Sequence, residues 1–130
     1  MDKLIPLAAP LGRVLLSLIF LIAGAGKLAA PAATIAYIGS HGLPLPQVAY
    51  ALSLIVEIGG GLLILVGYQA RVAGFVLAGF CIVTGFAFHN DFADQAQFIN
   101  FMKNLAMAGG FLQIVAHGAG GFSIDNRGKL

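Results

Sequence analysis

Charge is what this sequence has least of. Only 9% of its 130 residues are Asp, Glu, Lys or Arg, against about 25% in an average soluble domain. A globule this small has too much surface to cover with so few charges, so a soluble domain is excluded. Cysteine is nearly absent too. Cys81 stands alone, which rules out an intramolecular disulfide, a CxxC dithiol or a CxxCH haem attachment within the chain. No cysteine lies near the N-terminus for lipidation. The seven basic and five acidic residues are scattered, with a net charge of +2 and no basic patch, so nucleic acid is not an expected partner. What abounds is apolar: 59% hydrophobic residues and a mean hydropathy of +0.94, far above disordered chains. The class that remains is an integral membrane protein.

Four apolar stretches, about 11–30, 48–68, 72–88 and 98–117, can each cross a hydrocarbon core of about 30 Å at about 1.5 Å per residue. Residues 1–130 therefore read as one all-α domain, a transmembrane four-helix bundle. The fourth stretch is the least apolar, with Asn100, Lys103, Asn104 and Gln113. Between the first two, Gly39, Gly42, Pro44 and Pro46 stop helices, and Pro31 to Ser40 fits a short helix at the interface. Gly67 to Ala70 reads as a tight turn, and Asn90 to Gln97 as an acidic loop. Arg13, Val14 to Ile22 and Ala23-Gly24-Ala25 have the outline of a signal peptide. The apolar stretch continues past them, however, and Lys27 follows at once.

Lys and Arg set the orientation. With the N-terminus inside, Lys3, Arg13, Arg71, Arg127 and Lys129 fall on the cytoplasmic side and only Lys27 and Lys103 on the outer side, five against two. Both termini are expected in the cytoplasm. Arg13 and Arg71 are then cytoplasmic anchors. Arg13-Val14 and Arg71-Val72 open the first and third spans alike, and Glu57 to Leu63 resembles Ala106 to Leu112. The repeat suggests two parallel helical hairpins.

Polar and small residues recur every three or four positions, which puts them on one helix side. The sets are Arg13, Ser17, Phe20, Gly24 and Lys27; Ser53, Glu57 and Gly61; Arg71, Gly74, Ala78, Cys81 and Gly85; and Asn100, Lys103, Asn104 and Met107. Such sides are expected to face the interior. Glu57 lies about nine residues, roughly 13 Å, below the outer end of its span, and Lys103 about five residues, roughly 7 Å, below the end of the fourth. A charge at mid-membrane costs at least about 2.5–3.5 kcal/mol, so Glu57 stays protonated or finds a partner. Lys103, with Asn100 and Asn104 beside it, is the preferred one. Lys27 snorkels to the interface on its simplest reading, and with His89 it completes a polar site in the outer half. His89 and His117 are a membrane thickness apart and cannot share a haem. His41, His89, Asp91 and Asp94 lack ligand spacing, so no metal is expected.

This pattern resembles the DoxX family. The resemblance rests on Arg13 with Phe20-Leu21 and Gly24 to Lys27, on Glu57 with Gly60-Gly61 and Leu63, on Gly67 and Arg71, on His89, and on the closing Gly-Ala-Gly-Gly-Phe-Ser-Ile-Asp of residues 118–125. It implies a small bacterial inner-membrane protein of four helices. Related DoxD proteins are linked to the quinone-facing subunit of a thiosulfate-oxidising enzyme, and other relatives to complexes with soluble redox enzymes. With no cysteine pair and no haem ligand pair, this chain would need quinone or a redox partner protein to take part in such chemistry. The leading expectation is therefore an accessory or membrane subunit of a quinone-linked redox system rather than an independent enzyme. The alternatives are a membrane scaffold or assembly protein, and a small-solute transporter. Partners compatible with this reading are the lipid bilayer, a redox protein and a second copy of the chain.

Overall fold

A computed structural model describes residues 1–128, and every regular element in them is helical. Helix α1 spans Ile5–Ala29, α2 Pro31–Ser40, α3 Pro46–Val66, α4 Ala70–Phe88 and α5 Gln95–His117. Lys129 lies outside the described residues. Three helices, α1, α3 and α4, are long and apolar enough to cross a membrane. With 23 residues, α5 has the length, but Asn100, Lys103, Asn104 and Gln113 keep it short of that apolarity.

Local chemistry sets the helix ends. Proline opens α2 and α3 at the first helical position, where its missing N–H leaves no bond unmade. Gly67, at φ +69°, ends α3 in the left-handed conformation, with the Tyr68 N–H donating to the Leu63 carbonyl. The Asp94 carboxylate caps α5 by accepting from the N–H groups of Ala96 and Gln97. Inside α3, Ile55–Gly60 forms a π-helical turn, an insertion frequent at functional sites.

The side of α1 that carries Arg13, Ser17, Phe20 and Gly24 is buried. On α4 the buried side includes Gly74, Ala78, Cys81 and Gly85. The α5 face departs from the expected one: Phe101, Ala108, Phe111 and Ile114 are buried, while Asn100 and Lys103 are exposed. Ring packing fixes this rotation. Phe111 meets Phe20 edge to face at 5.4 Å between ring centroids, and Phe101 meets Phe86 and Phe92, each at 4.9 Å. In a lipid medium such close packing, not water exclusion, holds helices together.

The core lies between these helices, built of Phe20, Ile64, Leu77, Cys81 and Phe111 with several alanines. Phe20 is seven residues from Arg13 on one side and from Lys27 on the other, about 10 Å each way. The core thus separates two differently built ends of the molecule.

Candidate functional site

On the Lys27 side of the core, α1, α3, α4 and α5 enclose a cavity of about 550 Å³. Helix α2 closes its end through Thr34, Tyr37 and Ile38. Tyr37 stacks on Phe88 at 5.7 Å, and His41 sits against Phe88 at 5.0 Å. The walls are mostly apolar, with Lys27, Glu57, Ser53, Thr84, His89 and Asn104 as convergent polar groups. That size and composition fit a site for a small molecule.

The centre of the site is an ion pair. Lys27 Nζ stands 2.7 Å from Glu57 Oε1 and 2.9 Å from Oε2. Glu57, the one glutamate of the chain, is only 4% exposed. Gly24, one turn before Lys27, brings α1 onto α3, because a methyl there would overlap the Ile58 side chain beside Glu57. The Tyr50 hydroxyl donates to the Lys27 carbonyl at 2.9 Å and ties the end of α1 to α3. Both oxygens lie on one side of the ammonium, which leaves at least one of its three N–H donors without an acceptor among the described residues.

The partner of Glu57 is thus Lys27, not the expected Lys103. Lys103 and Asn100 are exposed on α5 and form no side-chain hydrogen bond or ion pair among the described residues. The phenylalanines that turn α5 inward carry these two out. Asn104, one turn on, remains at the edge of the buried face and lines the cavity with Lys27, Glu57 and His89. Burial lowers the pKa of His89 below its usual 6.5, and His41 nearby lowers it further.

At the other end, Arg13 is not the expected anchor at the membrane edge. It is 3% exposed, and its guanidinium donates to four backbone carbonyls. Two close α3, Ile64 at 3.3 Å and Leu65 at 2.9 Å. Two belong to the glycine-rich tail, Gly121 at 3.0 Å and Phe122 at 2.8 Å. The tail folds back over this end, where the Asp125 carboxylate accepts from the N–H groups of Gln69 and Ala70, each at 2.9 Å, and caps α4. Arg71 is exposed and reaches the carbonyls of Val115 and Ala116 at the end of α5. Sequence reasoning passed over this clasp and the π turn. Its one signal was the 118–125 segment, whose glycines include two at positive φ, Gly118 and Gly120.

The DoxX family model matches residues 8–90, which contain Arg13, Lys27, Glu57, Arg71 and His89. The chain belongs to the DoxX family. Among DoxX-like relatives, inner membrane protein YqjF of Escherichia coli K12 is 39% identical over 128 residues, with 96% of this chain and 95% of that protein covered. Inner membrane protein YphA of the same organism is 30% identical over 127 residues, covering 94% and 91%. No solved structure matches. With three apolar spanning helices, this DoxX-family chain is a membrane protein.

Proposed function

We propose that this DoxX-family protein is the membrane subunit of a quinone-linked redox system, with a quinone ring held in the cavity beside Lys27 and Glu57. One observation carries the reading. A charged pair with an unengaged ammonium donor stands in an apolar cavity of about 550 Å³, among helices built for a bilayer. Ionic groups at that depth are costly, and a donor kept free beside a void serves binding rather than packing. A quinone supplies two-electron, two-proton chemistry when bound. The chain's own residues would bind and orient it: Lys27 donates to a ring carbonyl, the Glu57 carboxylate fixes the Lys27 ammonium in place, and Phe20, Phe80 and Val56 pack against the ring. Leu52 and Val83, which line the cavity, are 57% and 67% exposed, giving an apolar rim through which a lipid-borne molecule passes.

The membrane setting belongs to the same proposal. Helix α5 is the fourth span, both termini are cytoplasmic by the excess of Lys and Arg on that side, and the membrane is the bacterial inner one, as for the two relatives. The exposed Arg71 anchors the cytoplasmic edge. Solvent extraction of protein purified in mild detergent is expected to release quinone, and the Lys27→Met protein to carry much less. Equal quinone in both, at the level of the surrounding lipid, rejects the proposal.

A further inference from the structure

Asn104 carries an inference that rests on the quinone reading of this cavity and goes beyond it. Its amide can be oriented from the network alone. The Nδ2 group donates to the Cys81 carbonyl at 3.1 Å and to Thr84 Oγ1 at 3.3 Å. The Thr84 hydroxyl has one hydrogen, directed at the Phe80 carbonyl 2.8 Å away, so toward Asn104 it can only accept. Turning the amide over would set its oxygen against the Cys81 carbonyl, acceptor against acceptor. Both Nδ2 hydrogens are therefore engaged, and Oδ1 is fixed as an acceptor. Gly85 maintains this arrangement, since a methyl there would come within 3.4 Å of Asn104 Nδ2 and 3.2 Å of Phe101.

Asn104 lines the cavity, and its Oδ1 receives no hydrogen bond among the described residues. The polar groups offered to a ligand are thus of two kinds. Lys27 has an N–H to give, and Asn104 has a carbonyl oxygen in need of a donor. An oxidised quinone carries acceptors only and leaves Asn104 unmatched. A reduced quinol carries hydroxyls, which accept from Lys27 and donate to Asn104.

We propose that Asn104 makes this cavity selective for the hydroxyl-bearing, reduced form of its ligand. An unmatched polar group in an apolar site weakens binding, so the quinol is expected to bind about tenfold more tightly than the quinone, a difference of about 1.4 kcal/mol. The test measures dissociation constants for the wild-type protein in nanodiscs, with decylubiquinol and decylubiquinone as one pair and 4-nonylphenol and its methyl ether as another. The expected result is tighter binding of the hydroxyl member of each pair, with Asn104→Leu bringing the two members together. Equal binding within both pairs in the wild type overturns the selectivity, whether or not the variant folds. Failure of both ubiquinone compounds, with the phenol still preferred over its ether, rejects the quinone reading and leaves the role of Asn104 intact. Binding of none of the four overturns both.

Discussion

Arg13 and Lys27 leave the same side of α1 about 21 Å apart along its axis, and they do opposite work. Arg13 directs its two terminal nitrogens at four carbonyls of its own chain, with only its Nε left without a partner among the described residues, and the α3 terminus and the tail close around it. Lys27 meets one carboxylate and faces a large cavity. Arg13 is the more deeply buried of the two, at 3% exposed against 25% for the Lys27 side chain, so burial of a basic residue in a membrane bundle is not by itself a functional sign. What separates the two is whether the donors end on backbone or remain available beside a void. A guanidinium with five donors in a fixed fork suits the first task, and an ammonium with a movable third hydrogen suits the second.

The largest effect is expected at the Arg13 end. Arg13→Leu bares four carbonyls and releases the tail, a loss of at least about 3 kcal/mol, since hydrogen bonds to charged groups are worth about 1.5–3 kcal/mol each. Thermal unfolding in detergent should show little or no folded protein. Arg13→Lys keeps the charge, but three hydrogens cannot cover four carbonyls, so its melting temperature should fall between the two. If Arg13→Lys melts with the wild type, the clasp depends on charge alone and the contrast with Lys27 collapses.

At the other end, Lys27→Met strands the buried Glu57 and should cost about 3 kcal/mol, and Glu57→Leu should cost less, because the Lys27 side chain is a quarter exposed. The double variant should recover most of that stability, because an apolar pair of similar volume often replaces a buried ion pair without loss. It should still bind no quinone. A double variant as unstable as the two single losses added together would mean that Lys27 and Glu57 do not couple, and the ion pair would lose its place at the centre of the site.

The same contrast explains what was legible. Apolar runs announced α3 and α4 to within two residues and the end of α1 to within one, because bilayer thickness fixes their length, but α1 begins six residues earlier, at Ile5; prolines and glycines announced α2. Glu57 stood out as an acid at mid-span. Its partner did not, because depth alone cannot choose between Lys27 and Lys103. The choice depends on helix rotation, set on α5 by Phe101 and Phe111 and on α1 by the close approach at Gly24. The Arg13 clasp was harder still. Its acceptors are backbone carbonyls of Ile64, Leu65, Gly121 and Phe122, which every residue possesses, and the glycine-rich 118–125 segment marks a turn without saying what it closes on. The matching openings at Arg13 and Arg71 likewise carry no sign that Arg13 is buried and Arg71 exposed.

The smallest effect sharpens the comparison from the side of pH. His89 shares the cavity with Lys27 and Glu57, has His41 nearby, and has its pKa lowered by burial first and by His41 second. The folded protein then binds fewer protons than the unfolded chain from about pH 6.5 down to the lowered value. Unfolding takes up protons across that window, so stability falls as pH drops through it and levels off below. His89→Gln removes this contribution and should flatten the acid limb of a plot of melting temperature against pH, leaving the values above pH 7 nearly unchanged. Parallel curves for the two proteins, or a wild type that gains stability on acidification, would show that His89 is not held neutral at the cavity mouth. The functional end would then lack the pH response that distinguishes it from the clasp.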